Sequence, residues 1–133
     1  MHEWALAEAV VETVVARSRE TGRKRFSYIK IVLGELQQID RDILGYTLNE
    51  LLEVAKKELN IEVDKVLFET EKAVARCNRC GFEWPISLEG LGEEIRESIH
   101  FLPEAVHSFV KCPSCGSHDF EIVSGRGIAV EVG

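Results

Sequence analysis

The stretch CNRCG, residues 77–81, recurs as CPSCG at residues 112–116. In each copy two residues separate the cysteines, so both thiolates of one tight turn can face the same ion. The glycine that follows tolerates the left-handed backbone that directs N–H groups towards sulfur. Two such turns would form a closed tetrahedral site of structural type, with no open position for catalysis. The repeat predicts a metal site formed by Cys77, Cys80, Cys112 and Cys115.

The two cysteine pairs are separated by residues 81–111, a gap longer than the roughly 15–20 residues of a compact zinc ribbon. Part of this gap, LGEEIRESIHFLPEAVHSFV at 91–110, has helical periodicity, with Ile95, Ile99 and Leu102 on one side and a new turn starting at Pro103. It predicts a helical insertion.

The spacing of the cysteines does not distinguish zinc from iron, because both ions accept four thiolates in a tetrahedron. Iron would make the module a rubredoxin-like carrier of single electrons. We favour zinc, since the module lies within a larger α/β chain and lacks the compact aromatic shell expected around an electron-transfer iron.

The remainder of the chain has regular hydrophobic patterns. The spacing of apolar residues predicts a helix over 4–19 and a second helix that begins after the N-cap Asp40 and ends near Asn60. Period-two alternation predicts a strand in FSYIKIVLGEL at 26–36, ended at Gly34. Further strands are predicted in IEVDKVLFET at 61–70 and, as two short runs, in FEIVSGRGIAVEV at 120–132.

These elements predict an α+β fold: two helices packed on a small mixed β-sheet, with an inserted four-cysteine zinc-ribbon domain. Residues 1–75 and 125–133 would form the α/β domain, which includes the first residues of the chain. Residues 76–124 would form the zinc-ribbon domain with its helical insertion. The final β run is expected to return to the first sheet.

Charge and composition argue against several classes of function. The 133 residues include 16 Lys and Arg against 23 Asp and Glu, and the net charge of −7 argues against binding nucleic acid. The apolar start carries Glu3, Glu8 and Glu12 and has no preceding basic residues, so we expect a cytoplasmic protein rather than a secreted one. No stretch approaches the roughly 18 apolar residues of a membrane span. Neither a Ser-His-Asp arrangement nor a phosphate-binding loop is evident, which predicts that the protein is not an enzyme.

The chain begins MHEW, and this end offers several nitrogen donors. The amine of Met1 and the amide and imidazole nitrogens of His2 can close adjacent chelate rings around one ion, and a planar nitrogen set suits Ni(II) or Cu(II). Glu3 could add a backbone nitrogen or a carboxylate oxygen. We expect Met1 to be retained because His2 is large, and Trp4 and Leu6 to bury the chain and hold the ligands still. The alternative is an ordinary frayed terminus.

The other histidines have less definite roles. His100, between Ile99 and Phe101, is a candidate fourth donor for a square-planar nickel site, and the alternative is an ordinary surface histidine. His107 is expected to face solvent. His118 could replace a thiolate, but four cysteines already complete a tetrahedron.

Three segments together carry a resemblance to a known family: MHEWALAEAVVETV at 1–14, VLGELQQID at 32–40, and the pair CNRCGFEW at 77–84 with CPSCGSHDFEIVSGRGI at 112–128. Across essentially the whole chain these resemble the hydrogenase nickel-incorporation protein family HypA, and the long gap between cysteine pairs is similar to its archaeal members. The resemblance implies nickel at His2 with Glu3 close by, and structural zinc at the four cysteines.

The resemblance also implies a function. Members supply nickel to the maturing [NiFe]-hydrogenase large subunit and work with a GTP-hydrolysing partner, HypB. The chain is accordingly interpreted as a nickel metallochaperone carrying Ni(II) and Zn(II), as a monomer or homodimer. The alternatives are a zinc-ribbon adaptor that binds other proteins and the rubredoxin-like iron carrier.

Overall fold

The computed structural model describes residues 3–133, and the first element in that range is helix α1, Glu3–Thr21. Its buried apolar residues recur at steps of three and four and are Leu6, Ala7, Val10 and Val14. Gly22, at φ +73°, ends the helix, and its N–H donates to the carbonyl of Ser18 at 2.8 Å. The predicted first helix is confirmed.

Helix α2, Arg41–Leu59, begins where the sequence predicted. A carboxylate oxygen of the N-cap Asp40 accepts hydrogen bonds from the N–H groups of Asp42 and Ile43 at 2.9 and 3.1 Å. The helix ends at Asn60, which adopts the left-handed conformation. Leu44 and Leu48 are fully buried, and replacing a leucine buried to this extent with alanine typically costs about 2–5 kcal/mol.

A three-stranded sheet of order β2-β1-β6 forms from β1 Arg25–Gly34, β2 Glu62–Glu71 and β6 Ile128–Val132. Ion pairs join Arg25 to Asp64 and Lys30 to Glu69. Residue numbers therefore increase in the same direction along both strands, and β2 is parallel to β1. By contrast, backbone hydrogen bonds join Gly34 to Gly127 and Tyr28 to Gly133. Because numbering falls along β1 as it rises along β6, β6 is antiparallel to β1. The sheet is therefore mixed, and the predicted return of the last strand is confirmed.

The second sheet, of order β4-β3-β5, is antiparallel and forms from β3 Val74–Cys77, β4 Glu83–Pro85 and β5 Phe120–Ser124. The long gap between the cysteine pairs contains helix α3, Glu93–Phe101, and a 3₁₀ turn at Pro103–Ser108 that starts at the proline as predicted. Ile99 is fully buried, but Leu102 follows the end of α3 and is 58% exposed, so the prediction that it shares one helix side with Ile95 and Ile99 is wrong.

By their internal contacts, residues fall into two compact units. One contains the described residues up to Val32, with Ile39–Glu69 and Ala129–Gly133, and the other contains Leu33–Gln38 and Thr70–Ile128. The short segment 33–38 thus groups with the cysteine-bearing part. Hydrophobic periodicity could not indicate this, because it reports local structure and not which distant residues meet.

The core of the cysteine-bearing unit is small. Its buried residues are Leu36, Ala73, Ala75, Cys77, Trp84, Ile86, Ile99, Val106, Cys112 and Phe120. Gly125, at φ +82°, lies against its edge, where an added Cβ would come within 2.4 Å of the Ala73 backbone, so only glycine fits there. Two of the four cysteines are thus part of the core itself.

The fold class predicted from the sequence, two helices with a small mixed sheet and a four-cysteine module, is confirmed. Among the described residues, no helix combines the length and apolar character needed to cross a bilayer.

Candidate metal centres

The first cysteine turn closes directly after β3. Cys77 donates its N–H to the carbonyl of Phe82 at 2.9 Å, and Gly81 donates back to the carbonyl of Cys77 at 3.0 Å. Gly81 adopts φ +78°, the left-handed conformation that the motif predicted. The N–H groups of Arg79 and Cys80 then point at the Sγ atom of Cys77, at 3.3 and 3.4 Å.

The second turn repeats this arrangement. Gly116, at φ +76°, donates to the carbonyl of Cys112 at 2.8 Å, and Cys112 donates to the carbonyl of Ser117 at 2.8 Å. In both turns the first cysteine is buried and the second exposed. Each turn therefore presents one thiol from the core and one from the surface.

All four Sγ atoms lie within 4.8 Å of one another. The Sγ atoms of Cys77 and Cys115 are 3.5 Å apart, and those of Cys80 and Cys112 are 3.6 Å apart. Both distances are far longer than the roughly 2.05 Å S–S bond of a disulfide. Four sulfurs placed about 2.3 Å from a central ion in a tetrahedron would be about 3.8 Å apart. The group can therefore hold a tetrahedral metal ion.

The four thiols differ in acidity. The N–H of Cys80 is the main cause that lowers the pKa of Cys77 to about 7. Burial raises the pKa of Cys112, but the N–H groups of Cys115 and Ser114 outweigh it and the net shift is downward. The N–H of Ser117 lowers the pKa of Cys115, but desolvation and the neighbouring cysteines raise it to about 11. The group therefore binds at least one proton at neutral pH that a metal ion must displace.

We expect the affinity of the site for zinc to rise with pH. The pKa of the Cys115 thiol is raised to about 11, so this thiol is protonated at neutral pH and must lose its proton when it binds the metal. Displacing at least one proton makes the apparent affinity rise by at least about tenfold per pH unit between pH 7 and 9. Competition against a chromophoric chelator at pH 7, 8 and 9, under a non-thiol reductant, measures this slope. A pH-independent affinity would contradict it.

Aromatic rings lie close to the cysteines, contrary to expectation. Trp84 and Phe120 belong to the same buried cluster as Cys77 and Cys112, and their ring centroids are 5.2 Å apart. Phe82 stacks on Trp84 at 6.4 Å. The prediction that the cysteine module lacks surrounding aromatic residues is therefore wrong, and aromatic content does not favour zinc over iron here.

Of the predicted nickel ligands, Met1 and His2 lie outside the described residues, and Glu3 is the first that the structure describes. A carboxylate oxygen of Glu3 accepts the backbone N–H of Asp40 at 3.2 Å. Glu3 thus joins the start of α1 to the residue that caps α2. Leu6 is buried as expected, but Trp4 is 53% exposed, so the predicted burial of Trp4 is wrong.

His100 lies in the last turn of α3, half-buried, and its Nδ1 hydrogen-bonds to the carbonyl oxygen of Gln37. A carbonyl oxygen only accepts, so Nδ1 carries a proton, and in the corresponding neutral tautomer Nε2 is the nitrogen that can act as a ligand. Metal-binding histidines are commonly oriented by such a bond at the other ring nitrogen. The role of Gln37 was missed, although it lies within the quoted segment 32–40.

The ring of each of the other two histidines, His107 and His118, forms a hydrogen bond with the backbone carbonyl of the other. His107 stacks on Phe120, with ring centroids 4.2 Å apart, so the prediction that it faces solvent is wrong. His118 donates from Nδ1 towards the carbonyls of His107 and Val110, each at 3.0 Å. Among the described residues, the candidate metal group contains the four cysteines and no histidine.

The fold and the cysteine site define a class: a small α+β protein with a four-thiol metal module joined to a helix-and-sheet unit. A family model described as hydrogenase/urease nickel incorporation, metallochaperone, hypA matches residues 1–132. The chain belongs to this family.

Relatives with whole-length similarity agree. The hydrogenase maturation factor HypA of Pyrococcus horikoshii is 47% identical over 132 residues, covering 98% of this chain and 92% of the relative. The protein of that name from Ignicoccus hospitalis is 30% identical and covers 98% and 94%. The solution structure of the Ni metallochaperone HypA from Helicobacter pylori has a TM-score of 0.57 at 13% identity, covering 99% and 96%, which supports the fold.

Proposed function

We propose that the protein is a nickel metallochaperone that binds Ni(II) through its N-terminus and delivers it to the [NiFe]-hydrogenase large subunit during maturation. The observation that carries the proposal is the match of residues 1–132 to the nickel-incorporation family. HypB is the proposed GTP-hydrolysing partner, in the cytoplasm, and the chain acts as a carrier rather than an enzyme. Nucleotide chemistry is left to the partner because the sequence has no phosphate-binding loop.

The proposed nickel ligands are Met1, His2, Glu3 and His100. The amine of Met1 and the nitrogens of His2 supply a planar set that favours Ni(II) over zinc, which prefers a tetrahedron. The bond from Asp40 to the Glu3 carboxylate supports this placement, because it holds the start of α1 in place directly after His2. Binding requires the amine and imidazole to be deprotonated, so acid is expected to release nickel.

The hydrogen bond of His100 favours the tautomer that a nickel ligand needs. With Nδ1 donating to Gln37, Nε2 is the nitrogen that can bind a metal. A histidine held in this way loses little rotamer entropy when it coordinates an ion, which favours its assignment as the fourth donor.

We expect His100→Asn to weaken nickel binding by at least about 10-fold, because the loss of a ligand costs no less than the loss of a group that only orients a ligand. The asparagine Nδ2 can still donate to the Gln37 carbonyl, but the variant has no nitrogen in place of Nε2. Isothermal titration with nickel measures the effect, and the zinc content checks the fold. His100→Gln, with a nitrogen or oxygen near the position of Nε2, is the matched comparison.

Unchanged nickel affinity in His100→Asn would remove His100 from the set. The remaining ligands would stand on their own test, because the backbone donors at the start of the chain do not depend on it.

We propose structural zinc at Cys77, Cys80, Cys112 and Cys115, since closed four-thiolate tetrahedra are the usual structural zinc sites. The rings of Trp84 and Phe120 are the specific observation that favours the rubredoxin-like alternative with iron. Colour separates the two: zinc protein is colourless, whereas iron in four thiolates is red. Metal analysis of the purified protein tests both at once.

A further inference from the structure

The unit that contains α1 and α2 has an apolar groove between the two helices, with a volume of about 350 Å³. Val11 and Val15 of α1 line one wall, and Leu51, Val54 and Leu59 of α2 line the other. Val54 is 51% exposed and Leu59 is 40% exposed. These side chains therefore present apolar surface to solvent.

Packing in the core does not account for the apolar character of these groove residues. The buried stripe of α1 is made by other positions, among them Val10 and Val14, and that of α2 includes Leu44 and Leu48. Val11 and Val15 are one turn apart on a neighbouring face of α1, as are Leu51 and Val54 on α2. A second apolar face on both helices, at the same groove, is typical of a surface that binds a partner.

The sides of this groove are acidic. Glu8 and Glu12 on α1 and Glu58 on α2 line it, and none of the described residues lining it is a lysine or arginine. Such a surface repels anionic lipid headgroups and nucleic acid. A symmetric pairing of two copies through this face would place the same carboxylates against each other, which is unfavourable.

We propose that this groove docks one basic amphipathic helix of a partner protein. Its apolar side chains, at i, i+3 or i+4, and i+7, would occupy the groove, and its Lys or Arg residues would face the carboxylates at the sides. The groove between two neighbouring helices accepts the ridge of a third. The segment of α1 from Glu8 to Val15 is about 10 Å long, so about two turns of helix fill it. None of the residues lining the groove belongs to either proposed set of metal ligands, and the inference does not depend on the nickel function.

The test uses the zinc-loaded full chain and a fluorescent model helix of about 16 residues, with Leu along one face and Lys on both sides. A control peptide keeps every Leu and replaces each Lys with Glu. We expect micromolar binding of the basic peptide, weakened by salt, no measurable binding of the acidic one, and methyl NMR shifts at Val11, Val15, Leu51 and Val54.

Protein variants locate the contact. Glu12→Lys and Glu58→Lys should each weaken the basic peptide by roughly fivefold. Val54→Asp should abolish binding, and its half-exposed position leaves the core intact, which circular dichroism checks. Glu53→Lys is the matched control, because Glu53 is exposed on α2 but does not line this groove, and it should bind the peptide as the native chain does.

Several results would overturn the proposal: no binding of the basic peptide, equal binding of the acidic peptide, an effect of Glu53→Lys as large as that of Glu58→Lys, or NMR shifts confined to other surfaces. Self-association of the native chain that Val54→Asp disrupts would also overturn it, and would assign the groove to a second copy.

Discussion

Acetylation of the Met1 amine is expected to reduce nickel affinity by at least about 100-fold, because it removes a donor and prevents closure of the first chelate ring. His2→Ala should have an effect of the same order, since it removes the imidazole. An N-terminal leader should act like acetylation, and its proteolytic removal down to Met1 should restore binding.

Equilibrium dialysis against nickel measures all three forms of the chain. Glu20→Gln is a suitable surface control, because Glu20 is exposed near the far end of α1. Zinc content should be equal throughout, which separates loss of the terminal ligands from loss of the fold. Undiminished nickel loading of the acetylated chain would remove the terminal amine from the ligand set and with it the central part of the proposed function.

Removing the ion from the four cysteines is expected to unfold the unit that contains them. Binding of structural zinc contributes roughly 10–16 kcal/mol in small zinc modules, as large as the whole 5–15 kcal/mol stability of a typical domain. The core here includes Cys77 and Cys112 themselves, so a metal-free cluster places polar thiols, partly ionised, inside a small apolar core.

The two tryptophans allow the two units to be followed separately. Trp84 is buried in the cysteine-bearing unit at 8% exposure, whereas Trp4 of the other unit is already 53% exposed. We expect chelation or Cys112→Ser to shift Trp84 emission to longer wavelength and to abolish hydrogen-exchange protection in β3 and β5. Protection in α1 and α2 should remain, because their buried stripes are made by residues outside this core.

Ser114→Ala is the matched control, since Ser114 is exposed between the second pair of cysteines and supplies no sulfur. Retained protection of β3 and β5 in metal-free protein would show that packing alone holds the unit. That result would reassign the cysteines from a structural to an exchangeable metal site.

The sequence predicted much of the local structure correctly. The helix periodicity, the N-cap Asp40 and the glycines after each cysteine pair are all observed in the predicted conformations. These features depend on interactions within a few residues, which the order of side chains along the chain specifies directly. The cysteine spacing likewise predicted a metal group, because each tight turn holds its own two thiols.

The errors concern contacts between distant residues. Trp4 is exposed although it was expected to pack inwards, Leu102 lies beyond the helix that was expected to include it and is exposed, and His107 stacks on Phe120 although it was expected to face solvent. The two short β runs at 120–132 also enter different sheets. An apolar residue at the end of a helix fits the periodicity whether or not another element covers it, so local pattern could not decide these positions.

The sequence by itself therefore determined the helices, the longer strands, the cysteine turns and, through its resemblance to a family, the expected metals, but not the short strands β3 and β4. Only the tertiary structure decided that the four thiols lie within 4.8 Å of one another, that segment 33–38 joins their unit, and that Gln37 orients His100. The physical reason is that turns and helices arise from neighbouring residues, whereas a metal group and an oriented imidazole require backbone from remote parts of the chain to pack together.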